Sequence, residues 1–176
     1  MISGVPTWVG GTPPTAVGDF RDGGIVFWVD PENNAHGLVC AIEDQSASIQ
    51  WYNGNYTTTG ATGSAIGTGS ANTAKIIARQ GATETAYAAG LARAYGGGGY
   101  TDWFLPSKDE LYQMYLNKAM INSTATANSG SNFITNYYWS STEFDFNYAW
   151  FQYFNIGNQS IFSKYFTFSV RAVRAF

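Results

Sequence analysis

Cysteine and histidine are almost missing from this sequence, and charge is scarce. Cys40 is the single cysteine and His36 the single histidine among 176 residues. One thiol forms neither an intrachain disulfide nor a thiolate metal cluster. One imidazole builds no multi-histidine metal site and no histidine relay. Charged side chains make up 12% of the chain, about half the usual share. The net charge of −3 argues against a nucleic-acid or polyanion binder that works through a basic surface. No apolar run reaches the roughly 20 residues that span a bilayer, so no membrane insertion is expected. Heptads, collagen repeats and glycine-rich phosphate cradles are missing too. The N-terminus lacks the basic region and apolar core of a signal peptide. Residues 1–18, with Pro6, Pro13 and Pro14, read as a linker or extended arm at the end of a larger protein. Residues 19–176 read as one domain.

What is present is a hydrophobic content of 45%, enough for a real core. Residues 24–30 and 37–43 are β-branched or apolar and flank the turn signal Asp30-Pro31-Glu32-Asn33-Asn34, which predicts a hairpin. Residues 53–70 are glycine, threonine, serine, asparagine and alanine with little else, and read as a long loop. Residues 71–80 suit a helix that stops at Gly81, and 83–95 suit a second helical stretch. Ser107-Lys108-Asp109-Glu110 is a capping-box signature. After it Leu111, Met114, Tyr115 and Ala119 share one helical face. Strands are expected near 137–142, 148–154, 160–163 and 169–175. Strands, then helices, then strands give an α+β fold with an antiparallel sheet.

The last quarter of the chain has a distinct chemistry. Between Tyr137 and Phe168 stand 14 aromatic residues but only three charges, Glu143, Asp145 and Lys164. Neighbouring strand residues face opposite sides, so Trp150-Phe151, Tyr153-Phe154 and Tyr165-Phe166 place rings on both faces. A small domain does not bury both faces of every strand, and some of these rings should lie at the surface. Exposed rings mixed with asparagine, serine and threonine form the composition of paratopes and interfaces. A packed core is the competing explanation, and it suits Trp139, Trp150 and Phe154 best.

Several motifs resemble the Lcl C-terminal domain family, the terminal domain of a collagen-like bacterial adhesin. They are Gly23-Gly24-Ile25-Val26-Phe27, Ile66-Gly67-Thr68-Gly69-Ser70-Ala71-Asn72-Thr73 and Asp102-Trp103-Phe104-Leu105-Pro106-Ser107-Lys108-Asp109-Glu110-Leu111. Further on come Tyr138-Trp139-Ser140-Ser141-Thr142-Glu143, Ala149-Trp150 and Val170-Arg171-Ala172-Val173-Arg174-Ala175-Phe176. The resemblance covers residues 18–176 and implies a C-type lectin-like fold with two or three helices and long loops. It also resembles the variable proteins of diversity-generating retroelements, whose template adenines mutate so that asparagine codons become many residues but never a stop. The implied frame is Ala149-Trp150, Gln152, Phe154, Gly157, Gln159, Lys164 and Val170–Arg174. The residues that an asparagine codon cannot reach by adenine change, Trp150, Gln152, Gln159 and Lys164, all fall on it.

The implied ligand-binding set is Phe151, Tyr153, Asn155, Ile156, Asn158, Ser160, Ile161, Phe162, Ser163, Tyr165, Phe166 and Phe168, joined by Phe144, Phe146, Asn147 and Tyr148. The variable region is then about 144–169. Trp139 and Trp150 are expected inside. Arg171 and Arg174 are expected on opposite faces of one strand, as structural residues, one paired with an acid and the other bordering the surface. The implied function is non-enzymatic ligand or receptor binding by a phage tail-tip or bacterial surface protein, with a homotrimer as one assembly. The expected partner is a protein or cell-surface receptor rather than a glycan. A glycan- or glycosaminoglycan-binding adhesin is the alternative, strengthened if Lys164, Arg171 and Arg174 cluster. A formylglycine-generating-type enzyme is the third reading. Cys40 alone supplies neither the redox pair nor the copper site of that class, and His36 lies in a turn with no nucleophile beside it. The adjacent pairs Asp109-Glu110 and Glu43-Asp44 diverge and make no shared acid–base site. No cofactor is indicated. Structural calcium is compatible with the loop Asp and Asn residues but has no EF-hand spacing behind it.

Overall fold

The computed structural model describes residues 15–81 and 85–176. Most of the expected arm and the start of the helical stretch at 83 lie outside the described residues. The elements run β1 (Phe20–Arg21), β2 (Gly24–Val29), β3 (Gly37–Cys40), β4 (Ser46–Gln50), α1 (Gly69–Gln80), α2 (Ala88–Ala94), α3 (Lys108–Leu116), α4 (Lys118–Ala127), β5 (Tyr137–Glu143), β6 (Tyr148–Tyr153), β7 (Gln159–Ser163), β8 (Thr167–Val170) and β9 (Val173–Ala175). They form two sheets, ordered β1-β2-β3-β9 and β4-β8-β5-β6-β7. All pairings are antiparallel except one parallel contact, Tyr138 with Ser169 between β5 and β8. The architecture is α+β, as the sequence predicts.

The β2–β3 hairpin forms where its apolar run and turn signal place it. Val26, Phe27, Val39 and Cys40 are fully buried. Burial pushes the Cys40 thiol up to about 12, so it stays protonated and inert. The remainder of the core joins Trp51, Trp103, Leu105, Trp139 and Val170 on one side, and Leu111, Met114, Tyr138 and Phe154 on the other.

Four details differ from the sequence reading. First, 169–175 is two strands. After Val170 the chain leaves one sheet for the other, and the Ala172 amide in the gap donates to the Gln45 side chain. Second, β4 was not anticipated, because Ser-Ala-Ser-Ile-Gln has no apolar run. It exists because β8 supplies its partners, Ser46 with Val170 and Ile49 with Phe168. Third, the helix begun at Ser107 stops at Leu116 and restarts at Lys118, with Asn117 as the joint. Ala119 is therefore exposed rather than on the buried stripe. Fourth, only Ala88–Ala94 of the 83–95 stretch is helical among the described residues.

The capping box at Ser107 forms in full. Glu110 does more than close it, since its buried carboxylate accepts from the amides of Ser107 (2.7 Å), Gly67 (2.8 Å) and Gly69 (3.3 Å). One carboxylate thus fastens the start of α3 to the start of α1 and to the long loop before it. Burial, outweighing these hydrogen bonds, raises the Glu110 carboxyl above its ordinary 4.5. Between the unfolded and the folded pKa the folded state holds the extra proton, so stability falls as pH rises through a window opening near 4.5. Glu110→Gln is expected to flatten that fall in urea titrations run at several pH values. Asp44, raised chiefly by burial, leaves a residual slope of the same sign. An unchanged slope in Glu110→Gln would exclude this role.

Candidate ligand-binding surface

The C-terminal strands carry the predicted site, and strand parity divides it. In β5 and β6, Tyr137 pairs with Tyr153 and Trp139 with Phe151 on one face. In β6 and β7, Phe151 pairs with Ser160 and Ala149 with Phe162 on that same face. The opposite face carries Tyr138, Trp150, Gln152, Gln159 and Ile161, and packs toward α3. The Lys108 ammonium sits 4.5 Å from the Trp150 ring centre. The Gln159 amide donates to the Lys108 carbonyl at 2.7 Å.

The first face is a continuous sheet of rings. Centroid distances are 4.5 Å for Tyr137–Tyr153, 5.1 Å for Tyr137–Phe151, 5.2 Å for Phe151–Phe168, 5.6 Å for Phe162–Phe168, 4.5 Å for Phe162–Phe166 and 4.3 Å for Tyr165–Phe166. These spacings are those of tilted and edge-to-face aromatic pairs. Phe162, Tyr165 and Phe166 form its open side, with Tyr165 47% exposed. Phe151 and Phe168 are its floor. At 9% and 6% exposure they are not available to a partner as the sequence reading expected. The physical reason is that Tyr137 from β5 and Phe162 from β7 each pack against both of them.

A second group sits on the β5–β6 loop. Phe144, Phe146, Asn147 and Tyr148 are all exposed, and Asp145 shapes the turn by accepting from the amides of Asn147 and Tyr148. A third group, Asn155, Ile156 and Asn158, tips the β6–β7 turn, where Ile156 is 58% exposed. Gly157 there takes φ +84°, and a side chain would run into the Tyr115 ring, so this frame position needs glycine. Ile161 is half-buried and by parity belongs to the helix-side face, while the half-buried Ser163 gives its hydroxyl to the contact with Tyr56.

Two contributors were missed. Tyr137 joins three rings of the patch. Its signal was available, because Tyr138 beside it is buried and parity puts its neighbour outside. Tyr56 stacks on Phe146 at 6.0 Å and shares a hydrogen bond with Ser163 at 2.9 Å. No local signal marks it, since it stands alone in the glycine-threonine loop.

Beneath these loops lies a fully buried ion pair. Lys164 Nζ is 2.6 Å from Glu143 Oε1. The ammonium also donates to the carbonyls of Thr57 (3.2 Å), Asp145 (2.8 Å) and Phe146 (3.0 Å). It lies 4.7 Å from the Trp51 ring centre. Glu143 in turn accepts from the amides of Thr59 and Gly60. Desolvation pulls the Lys164 pKa down, and the Glu143 partner pulls it back up. The pair clamps three loops together directly under the exposed rings.

Arg171 and Arg174 both meet acids. Arg171 binds Asp44 at 2.6 Å, and Asp44 also accepts from the Tyr138 hydroxyl at 2.7 Å. Arg174 binds Asp102 at 2.7 Å. Both arginines are buried, so neither borders the binding surface, and with Lys164 they make no exposed basic cluster. Trp139 is sealed inside, whereas Trp150 is only half-buried, because its ring lies under Lys108 instead of in the core. Among the described residues, no three His, Cys, Asp or Glu side chains are gathered as metal ligands. No helix among them is long and apolar enough to cross a membrane.

A two-sheet α+β body with long loops, presenting a surface on its terminal strands, is the arrangement of a C-type lectin-like domain. The sequence model of the Lcl C-terminal domain family matches residues 40–174. The chain belongs to that family. In a comparison with curated proteins, none matches the chain.

Proposed function

We propose that this domain is a non-enzymatic recognition module, and that residues 144–169 are its diversified ligand surface. One observation carries the reading: burial follows most of the division into frame and open positions, the departures being the buried open positions Phe151, Phe168 and Ser169 and the half-buried frame positions Trp150, Gly157 and Gln159. Gln152, Phe154, Lys164 and Val170–Arg174 are buried. Asn155, Ile156, Asn158, Ser160, Phe162, Tyr165, Phe166 and Thr167 are exposed. A scaffold organised this way accepts new side chains at the surface for little stability. The partner is a protein rather than a polyanionic glycan, because the surface is aromatic and Lys164, Arg171 and Arg174 are engaged in ion pairs. The protein that carries it is a phage tail-tip or bacterial surface protein. The buried, protonated Cys40 speaks against an enzyme of the formylglycine-generating type.

The test lies in the DNA after the Phe176 codon. A nearby reverse transcriptase gene and a near-copy of the 144–169 coding segment, differing only at adenines, are expected. A near-copy differing at all four bases, or no copy, would overturn the diversification reading. At the protein level, Tyr165→Ala is expected to move the urea unfolding free energy by less than about 1 kcal/mol, as for an exposed side chain. A larger loss would place Tyr165 with the floor rather than the contact surface.

A further inference from the structure

Four strands end the two sheets, and one of them is unguarded. β1 is two residues long and carries Arg21. β9 is covered at Val173 by a bridge to Phe104 and carries Arg174. β4 is bulged between Ser46 and Ile49. β7 has none of these protections. It is Gln-Ser-Ile-Phe-Ser, with no charge and no proline, and its five pairings with β6 run without a shift. Proteins normally blunt such edges, because a row of unpaired main-chain groups invites another strand.

The ladder shows which groups are free. The Tyr153 amide donates to Asn158 and the Lys164 amide to Asn147, at 2.8 and 2.9 Å. Hydrogen-bonded pairs alternate in an antiparallel ladder. Ser160 and Phe162 therefore exchange bonds with β6, while Gln159, Ile161 and Ser163 turn their main-chain groups outward. Among the described residues, the Ser163 carbonyl accepts from Phe166 at 3.0 Å. The amides of Gln159, Ile161 and Ser163 and the carbonyls of Gln159 and Ile161 have no partner there.

We infer that β7 binds an extended, uncharged segment of a protein partner by strand addition. This inference rests on the recognition role proposed above and specifies how the partner is held. Main-chain hydrogen bonds to Gln159, Ile161 and Ser163 supply affinity that does not depend on sequence. The added strand's alternate side chains lie beside Ser160 and Phe162, on the ring face, and there specificity arises. The segment is uncharged because the β7 side chains offer no counter-charge, and an ion laid against them would be desolvated unpaired. The exposed face is thus read in two ways at once, by a fixed backbone edge and by changeable rings.

The experiment uses the full chain and a displayed library of random twelve-residue peptides as the probe. Selected peptides are expected to share an uncharged stretch of about five residues. N-methylation at alternate peptide residues is expected to lower affinity at least about tenfold, the loss of one or two hydrogen bonds, while the intervening residues tolerate it. Ile161→Pro removes an outward amide without breaking a bond to β6 and is expected to cause a similar loss. Circular dichroism checks the fold of that variant, and the methylation series needs no variant at all. Binding that ignores methylation at every position overturns the inference. If such binding is still lost in Phe166→Ala, strand addition fails while the recognition surface stands. A selection that returns no peptide overturns it, and so does a chain that sediments as a dimer dissociated by Ile161→Pro, since the edge would then be taken by a second copy.

Discussion

Lys164→Met is expected to lower the unfolding free energy by about 3–5 kcal/mol, the cost of stranding one member of a buried ion pair. That is a large part of the roughly 5–15 kcal/mol that holds an ordinary domain folded. Glu143 would keep its amide donors at Thr59 and Gly60 but lose the only cation within reach of its carboxylate among the described residues. The melting temperature should drop on the order of 10 °C for a domain of this size. The partner change isolates the cause. Glu143→Gln in the Lys164→Met background removes the stranded charge and still offers an oxygen to the loop amides, so the double variant should recover part of the loss. A Lys164→Met midpoint within about 1 kcal/mol of the parent would show that the pair behaves as a surface contact.

Phe168→Ala is expected to cost about 3–5 kcal/mol, the range for deleting a buried aromatic side chain, whereas Phe162→Ala should cost under about 1 kcal/mol. Both belong to the ligand-binding set that the resemblance implies. Phe168 lies 4.3 Å from Trp139 and 5.2 Å from Phe151 between ring centres, so its removal opens a void under the sheet. Phe162 meets its neighbours on the open side and is 39% exposed. Equal losses for the two, measured by urea unfolding, would abolish the distinction between floor and contact surface. If the distinction holds, variation at 151 and 168 is restricted to residues that fill the space, while variation at 160, 162, 165 and 166 is free.

The parts of this fold that were legible are those written in local chemistry. The capping box at Ser107, the stop at Gly81 and the β2–β3 turn each depend on a few neighbouring residues. In the tail, the resemblance singled out Lys164, which the structure buries. β4 was not legible, because its strand character comes from β8, more than a hundred residues away. The break at Arg171–Ala172 was hidden because apolar residues continue across it, although the two halves serve different sheets. For Phe151 and Phe168, alternation says only that adjacent residues differ in face. Which face is roofed depends on the neighbouring strands bringing Tyr137 and Phe162 against both rings.

The clamp under the surface has a consequence for how new versions of this domain could arise. Three of the four oxygens that hold the Lys164 ammonium are peptide carbonyls, from Thr57, Asp145 and Phe146. Every amino acid carries that carbonyl, so the latch does not read the identity of the loop residues it grips. Letters on either side of it can be rewritten while the fastening stays shut. If the surface is the diversified one proposed above, the shape would be inherited independently of what is displayed on it.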